Sequence, residues 1–268
     1  MFKKMYKKLK LLHEGGFGKT YIVKNLHDKK TYVAKFVTTE EIINFCNHSK
    51  DNSKEEPTEV CLMNIIKKAQ KTNLVQIKEV FEEVFEDKEQ FIIIMEHNKD
   101  FEDFHSYLDE NKLDEKQSSI IFKNIYNCIK TCNELKIFHG DIKTDNMLIN
   151  RKTLEIILID FGSGVHSRDR YTELLNDELS TLPEWLEYDS YGHDEFYVWS
   201  LGLILYEMVY DEYPFKEEEE VCEIKKPVFY QTISSQCFDL ITKCIKKDPN
   251  ERIKFNEILD HEWFYFQK

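Results

Sequence analysis

The sequence predicts an α+β chain of two lobes: a small β-rich N-terminal lobe with one main helix, then a larger, mainly α-helical C-terminal lobe. Three observations predict it. Residues 9–12, 19–25 and 31–37 are short runs rich in Val, Ile, Tyr and Thr, parted by Gly15-Gly16 and by the turn-like stretch 25–30. From Phe104 onward the apolar residues recur at helical rather than strand spacing. Residues 198–210 are apolar nearly all round, as a helix buried in a large lobe must be. The boundaries follow: residues 1–95 form the first lobe, 96–101 a connecting hinge and 102–268 the second lobe, one domain overall.

Each element has its own signal. The three strands make a meander, and residues 40–56 are polar, with 47–54 an exposed loop. Thr58 opens the main helix, in which Val60, Met63, Ile66 and Lys67 follow at helical spacing. Strands at 75–85 and 91–95 complete the lobe. In the second lobe a helix over 118–135 carries Ile121, Ile125, Cys128, Ile129 and Cys132 on one face. Further helices are predicted at 198–210, 234–247 and 255–264. There is no internal repeat, and the acidic run 217–220 is the only biased tract.

Composition narrows the class. At 268 residues, with 41% hydrophobic and 13% aromatic side chains, the chain can build two packed cores. The longest apolar stretches, 91–95, 156–159 and 201–206, are far shorter than a bilayer span. The basic start is followed only by Leu11 and Leu12, too short for a signal-peptide core, so no membrane partner is expected. Seven cysteines, odd in number and scattered, read as reduced thiols of a cytoplasmic protein, or a nuclear one, rather than a disulfide framework or zinc site. A net charge of −13 and a pI of about 5.3 argue against nucleic acid and favour basic partners, with simple solubility as the alternative.

The chemistry lies in His139-Gly140-Asp141-Ile142-Lys143-Thr144-Asp145-Asn146 and in Asp160-Phe161-Gly162. These set carboxylate, ammonium, carboxamide and a second carboxylate at the spacing that phosphoryl transfer from a magnesium nucleotide uses. Asp141 is the candidate to orient and deprotonate a substrate hydroxyl, and Lys143 to neutralise the moving phosphate. Asn146 and Asp160 are candidate Mg²⁺ ligands through hard oxygens. The short strands 147–149 and 156–159 flank and present both loops.

Upstream, Gly15-Gly16-Phe17-Gly18 sits between two strands, where missing side chains let backbone N–H groups approach phosphates. Lys35, on the third strand beside Val33, can reach the α- and β-phosphates if a carboxylate holds it. Glu59 is the expected partner; Glu55 and Glu56 compete but precede Pro57, outside the helix.

Taken together, these residues with Leu182-Pro183-Glu184 and Arg252, in this order, resemble a eukaryotic protein kinase over essentially the whole chain. The resemblance implies the bilobal kinase fold, ATP and Mg²⁺ as cofactors, and a buried Glu184–Arg252 ion pair. It implies Met95 as the residue beside the adenine, the backbone of Glu96 and Asn98 as the hinge contact, and Val33 and Leu148 around the nucleotide. Lys143 two places after Asp141 is the serine/threonine form.

A nearer resemblance is to the Pim kinases of the calcium/calmodulin-dependent group. It rests on Asp160-Phe161-Gly162-Ser163-Gly164, Pro183-Glu184-Trp185, Val198-Trp199-Ser200-Leu201-Gly202 with no aspartate before it, and Pro214-Phe215 followed by acids. This implies a constitutively active enzyme acting as a monomer on substrates with basic residues near the acceptor. Asp103, Asp211 and Glu212, with Glu96 and the run 217–220, would then border the substrate cleft.

Several positions depart from the family pattern. His13 stands for a loop glycine, Thr20 for a valine, Val33 for an alanine, Asn98 for a hinge proline and Asp177 for a threonine near the catalytic residues. A catalytically weak or inactive pseudokinase is therefore the alternative. Gly140 replaces the arginine that gathers an activation-loop phosphate, so phosphorylating Thr172 or Ser167 would add little order.

Overall fold

The computed structural model describes residues 1–15, 18–42, 44–47, 55–85, 88–173, 175, 182–215, 221 and 233–265. The chain divides into two compact units, Met1–Lys99 with Asp160–Val165, and Asp100–Ile159 with His166–Lys268.

The first unit is built on a five-stranded antiparallel sheet. Its spatial order is Tyr6–Gly15, Gly18–Asn25, Thr31–Thr38, Lys88–Glu96, Ile77–Phe85. Because side chains alternate along a strand, Tyr32 and Ala34 enter one face while Val33 and Lys35 take the other. The first face buries Val23, Tyr32, Ala34, Phe81, Ile92 and Ile94 beneath Phe2 and Tyr6. Register then fixes the second: Lys35 lies opposite Thr20 and Ile93, and Val33 opposite Ile22 and Met95. Gly18 has φ +98°, and a Cβ there would come within 2.0 Å of the Phe36 carbonyl oxygen, so only glycine closes the first hairpin so tightly.

The main helix runs Thr58–Ala69 and stops at Gln70 in the left-handed region. Of the loop expected over 47–54 before it, residues 48–54 lie outside the described residues. Phe45–Asn47 pairs antiparallel with Glu55–Pro57, which folds Cys46 back toward the first turns of the helix. Cys46 and Cys61, with Cα atoms 6.8 Å apart, form a disulfide, which corrects the expectation of uniformly reduced thiols. Spacing along the chain could not reveal it, because the hairpin creates the proximity. Cys128, Cys132, Cys237 and Cys244 are buried and stand outside that disulfide.

The second unit is mainly helical: Glu115–Glu134, His193–Tyr210 and Ser235–Cys244 are its long helices. Asp114 and Gln117 form a reciprocal capping box that starts the first of these. The His193–Tyr210 helix begins before residue 198, since its polar first turn with Asp194 and Glu195 carries no apolar signal. Residues 255–264, expected as one helix, are two 3₁₀ runs, Phe255–Asp260 and Glu262–Phe264. His261 breaks them by accepting the Trp263 N–H, and Trp263 and Phe264 then pack on Phe122. A small sheet, in which Met147–Ile149 pairs with both Ile156–Leu158 and Glu102–Asp103, supports the loop that follows His139. Among the described residues no helix is long and apolar enough to cross a membrane.

Candidate active site

In the first unit three charged groups meet. Lys35 Nζ donates to both oxygens of Glu59, at 3.0 and 3.1 Å, and to Asp160 Oδ1 at 2.6 Å. Strand register puts Lys35 on the face turned away from the Phe2 cluster, and the first turn of the Thr58–Ala69 helix delivers Glu59. Asp160 adopts φ +59°, a conformation aspartate tolerates better than most residues, and its Oδ1 also accepts the Gly162 N–H at 3.0 Å. Burial opposes charge on Lys35, but Asp160 and Glu59 outweigh it and hold the ammonium above its ordinary value. Lys35 and Glu59 are sealed at 6% and 7% side-chain exposure, whereas Asp160 keeps 31%, so the triad opens to solvent on its Asp160 side.

Around it, Gly15 pairs with Gly18 across the hairpin, while Gly16 and Phe17 lie outside the described residues. Met95 is buried between Val33 and Ile77. The Glu96 N–H is bonded to the Gln76 carbonyl at 2.9 Å, and Asn98 is half-buried.

In the second unit the loop after His139 gathers its own set. Gly140 has φ +76°, which a glycine adopts without strain. The turn Thr144–Asn146 brings Asn146 Nδ2 to Asp141 Oδ2 at 2.6 Å and to the Asp141 carbonyl at 3.0 Å. Lys143 Nζ stands 3.4 Å from the same Oδ2. The carboxamide nitrogen of Asn146 is thus spent on Asp141, which turns its oxygen away from that carboxylate as a hard donor. Among the described residues no three His, Cys, Asp or Glu side chains could cage a metal. Leu148 follows in the strand, opposite Ile157 and Asp103.

The three acids expected to border a substrate cleft are placed differently from one another. Asp103 caps the helix Phe104–Glu110, accepting the Ser106 N–H at 2.7 Å. Asp211 ends the His193–Tyr210 helix in the left-handed region, and Glu212 follows it, exposed. Asp177 and 217–220 lie outside the described residues.

Sequence reasoning missed another acid. Glu207 is 6% exposed, its Oε1 accepts from Thr144 Oγ1 at 3.0 Å and lies 3.2 Å from His105 Nδ1, and its buried Oε2 has no hydrogen-bond partner among the described residues. Asp145 and Asp109 add their fields at His105. The available signal was one carboxylate inside the otherwise apolar stretch 198–210 of that helix.

The protein kinase domain model matches residues 6–264, and the chain belongs to that family. It is 28% identical to zebrafish (Danio rerio) serine/threonine-protein kinase pim-2, over 98% of this chain and 85% of that protein. It is 29% identical to Caenorhabditis elegans serine/threonine-protein kinase prk-2, over 98% of this chain but 58% of that protein. Arabidopsis thaliana calcium-dependent protein kinase 21 is 28% identical over 97% of this chain, which spans 49% of that plant protein. Family and relatives together identify a protein-serine/threonine kinase, an ATP-dependent transferase acting on protein substrates.

Proposed function

We propose that this kinase transfers the γ-phosphate of MgATP to serine or threonine hydroxyls with basic residues nearby, and that it does so without activation-loop phosphorylation. Asp141 is the catalytic base, Lys143 neutralises charge on the transferring group, Lys35 positions the α- and β-phosphates and Glu59 holds Lys35. Asn146 and Asp160 would hold Mg²⁺, which when bound supplies charge neutralisation on the phosphates. The observation that carries the transfer chemistry is the Asp141 carboxylate fixed by Asn146 and Lys143 within 3.4 Å, so that its orientation precedes substrate.

Two features support the finer claims. Glu207, with a buried oxygen that has no partner among the described residues and with exposed Asp145 nearby, offers a cation-seeking carboxylate next to the catalytic loop. Asp103 has a helix to cap and Asp211 a helix to end, so Glu207 carries more of the basic-substrate argument than they do. Gly140, lacking a side chain, gives an activation-loop phosphate no cation at that position.

A positional peptide-library assay with phosphatase-treated protein tests the whole reading. Turnover favouring Arg or Lys N-terminal to the acceptor is expected. Turnover without that preference removes the acidic-site argument, and activity only before phosphatase treatment removes the Gly140 argument. No turnover in any form, with no MgATP thermal shift, makes the pseudokinase alternative the better account.

A further inference from the structure

The loop that carries Asp141 hangs from a phenol. The backbone N–H of His139 donates to Tyr197 Oη at 3.1 Å, and both residues are fully buried. A buried backbone N–H needs an acceptor, and here a phenol oxygen supplies it. Tyr197 sits among the rings of Phe138, His193, Phe196 and Phe255, at centroid distances of 5.2, 4.9, 5.5 and 6.2 Å. In so apolar a setting a charged acceptor carries a heavy desolvation cost, while a neutral hydroxyl on a large ring does not. Burial, reinforced by Cys132, holds the phenol well above its ordinary value, so it stays neutral.

From His139 the connection runs directly to the base. Its Nδ1 accepts the Asp141 N–H at 3.3 Å and its Nε2 lies 2.9 Å from the Ile159 carbonyl, which together select the tautomer protonated on Nε2. Gly140, between them in the left-handed region, adds no side chain to fix the turn. We propose that Tyr197 is a positioning residue for phosphoryl transfer: its hydroxyl fixes the His139 backbone, and through His139 the turn that presents Asp141. This rests on the kinase reading, but the helix rather than the loop supplies the hold.

Tyr197→Phe deletes the oxygen and keeps the ring. The expected result is a fall of about tenfold in kcat, the scale of one buried hydrogen bond, with KM for ATP unchanged. Phe255→Leu disturbs the same aromatic cluster without touching the hydroxyl; it should lower the melting temperature at least as much and leave kcat alone. Parallel hydrogen exchange should show the His139 amide well protected in the parent protein and exposed in Tyr197→Phe. Unchanged kcat in folded Tyr197→Phe, or equal kcat losses in both variants, overturns the proposal. If Tyr197→Phe does not fold, rapid exchange of the His139 amide in the parent overturns it equally. A parent protein with no turnover would instead indict the kinase reading, leaving the exchange result to judge the anchor.

Discussion

Two buried ion pairs, one in each unit, look alike in sequence and serve opposite ends. In the second unit Arg252 meets Glu184 in a bidentate fork at 2.7 and 2.6 Å. Its remaining donors go to the carbonyls of Lys246, Glu195 and Lys247, and its plane stacks 4.8 Å from the Trp199 ring. With the two side chains only 1% and 2% exposed, nothing is left to recruit. In the first unit Lys35 is a point charge on a flexible stem, shared among three carboxylate oxygens, one of them on half-open Asp160. A guanidinium suits a fixed joint and an ammonium suits a charge that must accept a third, transient partner. Geometry therefore separates a clamp from a handle where charge alone does not.

The largest effect should come from breaking the clamp. Arg252→Met leaves Glu184 buried without a cation, and removing one partner of such a pair costs about 3–5 kcal/mol. A urea titration should show that loss in unfolding free energy, while the fraction still folded keeps its kcat. Full stability in Arg252→Met, or a kcat loss without a stability loss, would erase the distinction drawn between the two pairs.

Breaking the handle should do the reverse. Lys35→Met removes a preorganised donor, an effect of about 10²–10³-fold in kcat/KM, or roughly 3–4 kcal/mol of transition-state stabilisation. Stability should fall less than in Arg252→Met, because Glu59 can take up a proton: burial, the largest influence on it, already raises its value. Steady-state kinetics beside the same urea titration decides the matter, and a stability loss larger than that of Arg252→Met would contradict the assignment.

How far the sequence could be read follows the same division. The strands around Lys35 and the loop from His139 to Asn146 were legible because their signals are local: alternation, glycine placement and fixed spacing. The extended start of the His193–Tyr210 helix, the 3₁₀ runs after Phe255 and the Cys46–Cys61 bond were not, since polar first turns and nonlocal contacts leave no periodic trace. Glu207 was lost for a different reason. Its partners Thr144 and His105 are far from it in sequence, and its charge was averaged into the apolar stretch 198–210.

His105 yields the smallest effect and the most discriminating one for Glu207. Burial lowers its value, but Asp145, the hydrogen bond to Glu207 and the charges of Glu207 and Asp109 reverse that and leave it raised. A raised histidine adds stability that is complete below its unfolded value, about 6.5, and disappears as pH rises through the folded one. Because the ring is 44% exposed, water screens the effect, and the urea midpoint should drift down only slightly over that window. The same deprotonation removes a cation from Glu207, so KM for a basic peptide should fall as pH rises through the window. His105→Gln should flatten both curves together. If KM for the basic peptide keeps its pH dependence in His105→Gln while the stability curve flattens, Glu207 is a partner for His105 and not a seat for the substrate's basic residue.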